Sequence, residues 1–229
     1  NSGGSIVLTG NITAGTNVDF DATTTIGLTG SITVSGTVSI DATGITTVAA
    51  TGDINAGGAV NFGATKTGPL TTAGDIDTTD DNITFSRAVT LSANVDFDTV
   101  GTSAGNILFS STIATAGFAL ALDAGPAGNI TLSGNLTGGG ALTVRDGAVQ
   151  SFAGLNLASI DILDATTSVT FNNDLTATGA INVNSGGSIV LTGNITAGTN
   201  VDFDATTTIG LTGSITVSGT VSIDATGIT

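Results

Sequence analysis

One apolar spacing, of two, four, six and two residues, recurs along this chain and leaves it little choice of fold. It begins as Ile6, Leu8, Ile12, Val18 and Phe20, and returns as Ile26, Leu28, Ile32, Val38 and Ile40 and as Val48, Ala50, Ile54, Val60 and Phe62. It returns again as Ile83, Phe85, Val89, Val95 and Phe97, as Ile130, Leu132, Leu136, Leu142 and Val144, and as Val169, Phe171, Leu175, Ile181 and Val183. Ile107, Phe109, Ile113, Leu120 and Leu122 follow it with one insertion. A spacing of two keeps both residues on one face of a strand, whereas spacings of four and six carry the chain around a corner. A period of about 20 residues built in this way is the pattern of a solenoid, whose coils bury their apolar side only by stacking.

The expected fold is therefore all-β: a parallel β-helix with three short strands per coil, continuous over residues 1–229. The pattern degrades around Leu70 to Ile76 and around Val149 to Ile162. Counting each stretch as one irregular coil gives nine coils before residue 184 and about eleven in the chain. On that count Phe20, Ile40, Phe62, Phe97, Leu122, Val144, Ile162, Val183 and Phe203 form one internal column. The Gly10-Asn11, Gly30-Ser31, Gly52-Asp53, Gly74-Asp75 and Gly134-Asn135 pairs mark a corner, where Gly is expected to supply a positive φ and the following side chain to bond its own turn. Lys66 and Pro69 bracket the weakest coil, read as a protruding loop, and Phe118 falls at an insertion and is expected to be partly exposed. No stripe of helical period is present. A β-sandwich would need longer alternating strands.

Residues 184–229 repeat residues 1–46 without a change, so a tandem unit spans 1–183 and the next begins at Asn184. Nine coils make such a unit roughly 43 Å long. All 18 acidic residues are Asp, and Lys66, Arg87 and Arg145 are the only cations, for a net charge of −15. That surface repels nucleic acid and anionic lipid. No apolar run approaches the roughly 18 residues that span a bilayer. The absence of Cys excludes disulfides and suits an exported chain. Neither end shows a cap, so the expected neighbour is more solenoid, in the same chain or in a partner stacked end to end.

The segments DNITFSRAVTLSANVDFDT (81–99) and AGNILFSSTIATAGFALALDAGPAGNITLSGNLTGGGALTV (104–144) resemble the repeat regions of filamentous-haemagglutinin-like bacterial surface proteins. The resemblance implies a right-handed β-helix, export to the cell surface, and a part in adhesion, matrix or biofilm, with host or cell-surface glycans as candidate partners. No RGD tripeptide and no basic patch accompanies it. The function expected is a non-enzymatic structural repeat of an extracellular fibre. The alternatives are a rigid stalk carrying an adhesin domain outside this segment and, more remotely, a carbohydrate-active β-helix enzyme.

Candidate chemistry is sparse, and no catalytic or cofactor-binding residue is assigned. Asp19 and Asp21 flank Phe20, Asp96 precedes Phe97, and Asp41, Asp98, Asp123, Asp204 and Asp224 follow the last apolar position of their coils. Carboxylates stacked about 4.8 Å apart repel, and a hard cation between them would relieve the repulsion. Calcium at Asp21, Asp41, Asp204 and Asp224 is the metal reading. The Gly-Gly-x-Gly-x-Asp repeat of calcium β-rolls is absent, and the preferred expectation is solvated carboxylates without metal. Asp80-Asp81 near Arg87, and Asp146 beside Arg145, are the clusters that an enzyme would have to use, and solvated loop charges are the preferred reading of both. Thr9, Thr29, Thr192 and Thr212, and Thr13, Thr33, Thr137 and Thr176, are aligned as in ice-binding solenoids but without paired threonines. Asn-Ile-Thr at 11–13, 82–84, 129–131 and 194–196 fits an N-glycosylation pattern that the coil itself explains.

Overall fold

A computed structural model describes residues 1–66, 68–99 and 105–228. Ala104, which opens one quoted segment, and Thr229, the last residue of the repeated stretch, lie outside them. Among the described residues there are 31 strands and no helix. Every strand pairing is parallel and joins a strand to its counterpart one coil away, as in Ile6↔Ile26, Ile12↔Ile32 and Phe20↔Ile40. The chain is a β-solenoid of eleven coils with three strand positions each, and Val201–Leu211 and Val221–Ile228 each run unbroken over two of them. The first face is an 11-stranded sheet running from Ile6–Leu8 to Ile215–Val217, and the other two faces merge into a sheet of 20 strands.

Short strands with two inward residues follow directly from the spacing of two. Ile26 and Leu28, Val60 and Phe62, and Ile83 and Phe85 are all buried, while the residue between each pair faces outward. The inward residues form one apolar core along the axis. Stacking repeats each side chain against its like, so phenylalanines meet face to face. Phe62 and Phe85 lie 5.3 Å apart and Phe85 and Phe109 4.4 Å apart, with rings 11° from parallel in both pairs. Phe97 leans in from the second face at 5.0 Å from Phe85.

The expected internal column breaks at this point. Phe62 pairs with Phe85, not with Phe97, and the third-face column runs Phe20, Ile40, Phe62, Phe85, Phe109, Leu132, Phe152, Phe171, Leu191. Phe97 belongs to the second face, between Ile76 and Leu122, in a column that continues through Val144, Ile162, Val183 and Phe203. The cause is the degraded stretch after Phe62. It contributes only two strands, Leu70–Thr72 and Ile76–Thr78, before the pattern restarts at Ile83. The stretch from Val149 to Ile162, by contrast, supplies three full strands. From Ile6–Leu8 to Ile181–Ser185 there are thus 26 strands, or eight and two-thirds coils, where nine whole coils were expected.

Two further expectations fail for one reason, the closeness of stacked coils. The corner glycines at 10, 30, 52, 74 and 134 are not at positive φ. A Cβ on Gly30 would lie 2.1 Å from the Gly10 carbonyl oxygen, and one on Gly134 2.4 Å from the Ser111 carbonyl carbon. Glycine at 30, 52 and 134 is needed for space. The segment after Phe62 also folds down on the stack instead of protruding: Gly63 turns at φ +83°, the Gly68 amide donates to Ala42, and the Thr46 amide donates to Pro69. Phe118 is partly exposed, as expected.

Phe85, enclosed by three other rings, should be the most sensitive core position. Phe85→Ala should cost about 3–5 kcal/mol, and Phe20→Ala, at a half-buried position, less than half as much, as read by urea unfolding of the two variants.

Candidate functional site: acidic ladders and three cations

Many corners carry an Asx residue, and its side chain serves the next coil instead of its own turn. Asn11 Oδ1 accepts from the Ser31 amide at 3.0 Å, Asp53 Oδ1 from the Asp75 amide at 3.0 Å, and Asn194 Oδ1 from the Ser214 amide at 3.1 Å. Asn82, Asn106 and Asn129 form a continuous ladder that ends on the Val149 amide. The corner amides point along the axis and lack a strand partner, so an acceptor one coil away satisfies them. These bonds occupy all four Asn-Ile-Thr asparagines, and Ile83, Ile130 and Ile195 of those triplets are core residues.

The carboxylates align as their spacing suggests. Asp21 stands beside Asp41 and Asp204 beside Asp224. The two pairs nevertheless occupy different faces, the third and the second, because of the two-strand coil between them. Asp98 likewise stands between Asp77 and Asp123 on the second face. Like charges this close repel across each step.

The three cations answer this repulsion, and each reaches back two coils. Lys66 pairs with Asp21 and donates to the Ala22 carbonyl at 3.0 Å. Arg87 donates to Thr46 Oγ1 at 2.9 Å, to the Ile40 carbonyl at 3.1 Å, to the Lys66 carbonyl at 3.2 Å and to Asp41 at 3.4 Å. Arg145 holds Asp96 through two bonds of 2.8 and 2.6 Å, and meets Asp123 at 3.1 Å and Asp98 at 3.5 Å. Asp21 and Asp41 are thus engaged by protein cations, and Asp41 also accepts from Thr65. None of the three cations stands against Asp204 or Asp224.

Arg87 is the residue whose place differs most from expectation. A solvated loop charge near Asp80-Asp81 was expected; its side chain is wholly buried, with Asp41 almost as deep. Burial lowers its pKa, and Asp41 opposes that shift. The sequence held a sign of this, since Ile83, Phe85, Arg87 and Val89 alternate in one inward phase. Removing the guanidinium would leave the Asp41 carboxylate buried and uncompensated, at a cost of about 3–5 kcal/mol. A second interior polar residue, Gln150, takes a core position between Ile130 and Val169 and donates to the Asp164 carbonyl at 2.6 Å.

Arg145 likewise faces Asp96, Asp98 and Asp123. One open depression, of about 580 Å³, is lined by Asn135, Thr137, Asn156, Asn172, Asp174 and Thr176 among others, with no cation in its lining. Among the described residues no group of three or more acidic side chains is arranged to hold a metal ion. The aligned threonines are divided by face: Thr13 and Thr33 pair on the second face, while Thr137 and Thr176 share the first with Thr196 and Thr216.

Comparison with protein-family models, curated proteins and solved structures yields no match to this chain. What the geometry shows is a β-helix repeat protein.

The crowded second-face ladder sets a pH dependence. Burial, and next the Asp123 carboxylate, push Asp98 up to about 6, and burial also raises Asp75 and Asp77. A carboxyl whose pKa is higher folded than unfolded binds its proton more tightly in the folded state, so its contribution is full below pH 3.8 and is lost as the pH rises through about 6. The melting temperature should therefore rise on acidification from pH 7 to pH 5. Asp98→Asn should raise it at pH 7 and flatten the profile; an unchanged profile in this variant would contradict the assignment.

Proposed function

We propose that this chain is a structural segment of an extracellular bacterial fibre, in which tandem 183-residue units extend one continuous β-solenoid. The observation that carries this reading is the unchanged return of residues 1–46 at 184–229. Residues 184–228 continue the same stack, coil on coil, with Val201, Phe203 and Ile209 buried in the one core. A sequence that stacks on its own kind in this way lengthens a rod without any new interface. The polar side chains support the same reading, because many have a bonding role between coils: Asn and Asp cap corner amides, and Lys66, Arg87 and Arg145 tie coils together. The resemblance of 81–99 and 104–144 to filamentous-haemagglutinin-like repeats, and the lack of Cys, support export to the cell surface.

Immunogold labelling of intact source cells with antibodies to this chain should decorate filaments outside the envelope. Label confined to the cytosol would contradict the proposal.

A further inference from the structure

We infer that tandem units of this protein wind around the solenoid axis, so that each unit turns its side surface to a different one of the three faces. This rests on the reading of the chain as a tandem array. The observation behind it is that one sequence occupies two sets of faces. Ile6–Leu8 pairs on the first face, whereas the same residues in the second copy, Ile189 to Leu191, pair with Val169 to Phe171 on the third. Ile12 is on the second face and its equivalent Ile195 on the first. Phe20 is on the third and Phe203 on the second. All three strands shift in the same sense, by one face.

The arithmetic follows from the 26 strands of a unit. Twenty-six is not a multiple of three, so a copy cannot return to its starting face after one unit. Three units carry 78 strands, or 26 whole coils, and bring the pattern back. At about 4.8 Å per coil, one unit advances about 42 Å and the full period is about 125 Å.

For the shift to persist, the same residues must turn either kind of corner, and they do. Asp21 to Ile26 leave the third face through a bend at 23–25, while the identical residues from Asp204 to Ile209 run within one unbroken strand, Val201–Leu211, from the second face to the third. Short β-branched threonines with hydroxyls free to bond along the axis suit both: Thr206 Oγ1 donates to the Gly186 carbonyl, and Thr226 Oγ1 to the Thr206 carbonyl at 2.7 Å. Lys66 and Arg87 bracket the place where the shift arises, one before the two strands Leu70–Thr72 and Ile76–Thr78 and one after them, and tie these flanks to Asp21 and Asp41.

The winding has a consequence for partners. Outward groups such as Asp19, and Asp202 in the second copy, face different directions in successive units. A flat partner lying along the rod, including a second rod, meets the same surface only once in about 125 Å. A partner that wraps around the rod meets it every unit.

The test is a recombinant chain of many exact tandem units, imaged as single filaments by cryo-electron microscopy. The expected power spectrum has a first meridional reflection near 42 Å and off-meridional layer lines indexing on about 125 Å. A rod whose layer lines all index on a single unit, near 42 or 43 Å, would overturn the winding while leaving the fibre reading intact. A chain that forms no rod would overturn both. Adding to residues 63–69 a segment that supplies a 27th strand should abolish the 125 Å period; its persistence would overturn the account of the shift.

Discussion

Parallel pairing of each coil with the next is the constraint on which everything else in this molecule depends. It places every residue beside the one about 20 positions away and turns each position of the coil into a column. Columns of like apolar residues are stable, and the stacked rings of Phe62, Phe85 and Phe109 are the densest case. Columns of Asn are also stable, since each side chain caps an amide of the next coil. Columns of Asp are not, and the few cations are spent there. Glycine enters corners where neighbouring coils approach too closely for a Cβ.

The same constraint explains why a single short coil has long-range effects. Had the stretch after Phe62 supplied three strands, every later side chain would lie one face further on. Instead Leu70–Thr72 and Ile76–Thr78 fill two faces, and Ile83–Phe85 closes the coil on the third. Phe85 thereby extends the column of Phe62, and Arg87 enters the core above Asp41. A buried ion pair is weak evidence of stability in itself, but here it ties together three coils at the place where the pattern changes phase. Register is the function such a pair is best suited to.

Most of the fold was legible from spacing alone, because a strand with two inward residues leaves the same trace wherever it occurs. The three-strand coil, the inward and outward assignment of residues such as Phe97 and Asp96, and the alignment of Asp21 with Asp41 all follow from it. The phase was not legible. Leu70, Thr72, Ile76 and Thr78 show two inward pairs, and two pairs are compatible with a degraded coil of either two or three strands; only the pairing of Ile83 decides. The burial of Arg87 was hidden by its charge, although its place in the alternation from Ile83 to Val89 pointed inward. The Asx bonds were misread as local because sequence shows which residues are adjacent in the chain, not that an amide about 20 residues on is closer.

The phase shift between Phe62 and Ile83 is the central claim, and disulfide cross-linking tests it directly, since the chain has no native Cys. Asn61 and Thr84 are outward neighbours on adjacent coils of the third face. Thr71 would be the neighbour of Thr84 if the coil were whole, but it pairs with Thr90 on the first face. The N61C/T84C variant should form an intramolecular disulfide readily under mild oxidation, and T71C/T84C should not. Efficient closure of T71C/T84C with none in N61C/T84C would show nine whole coils per unit and contradict the account.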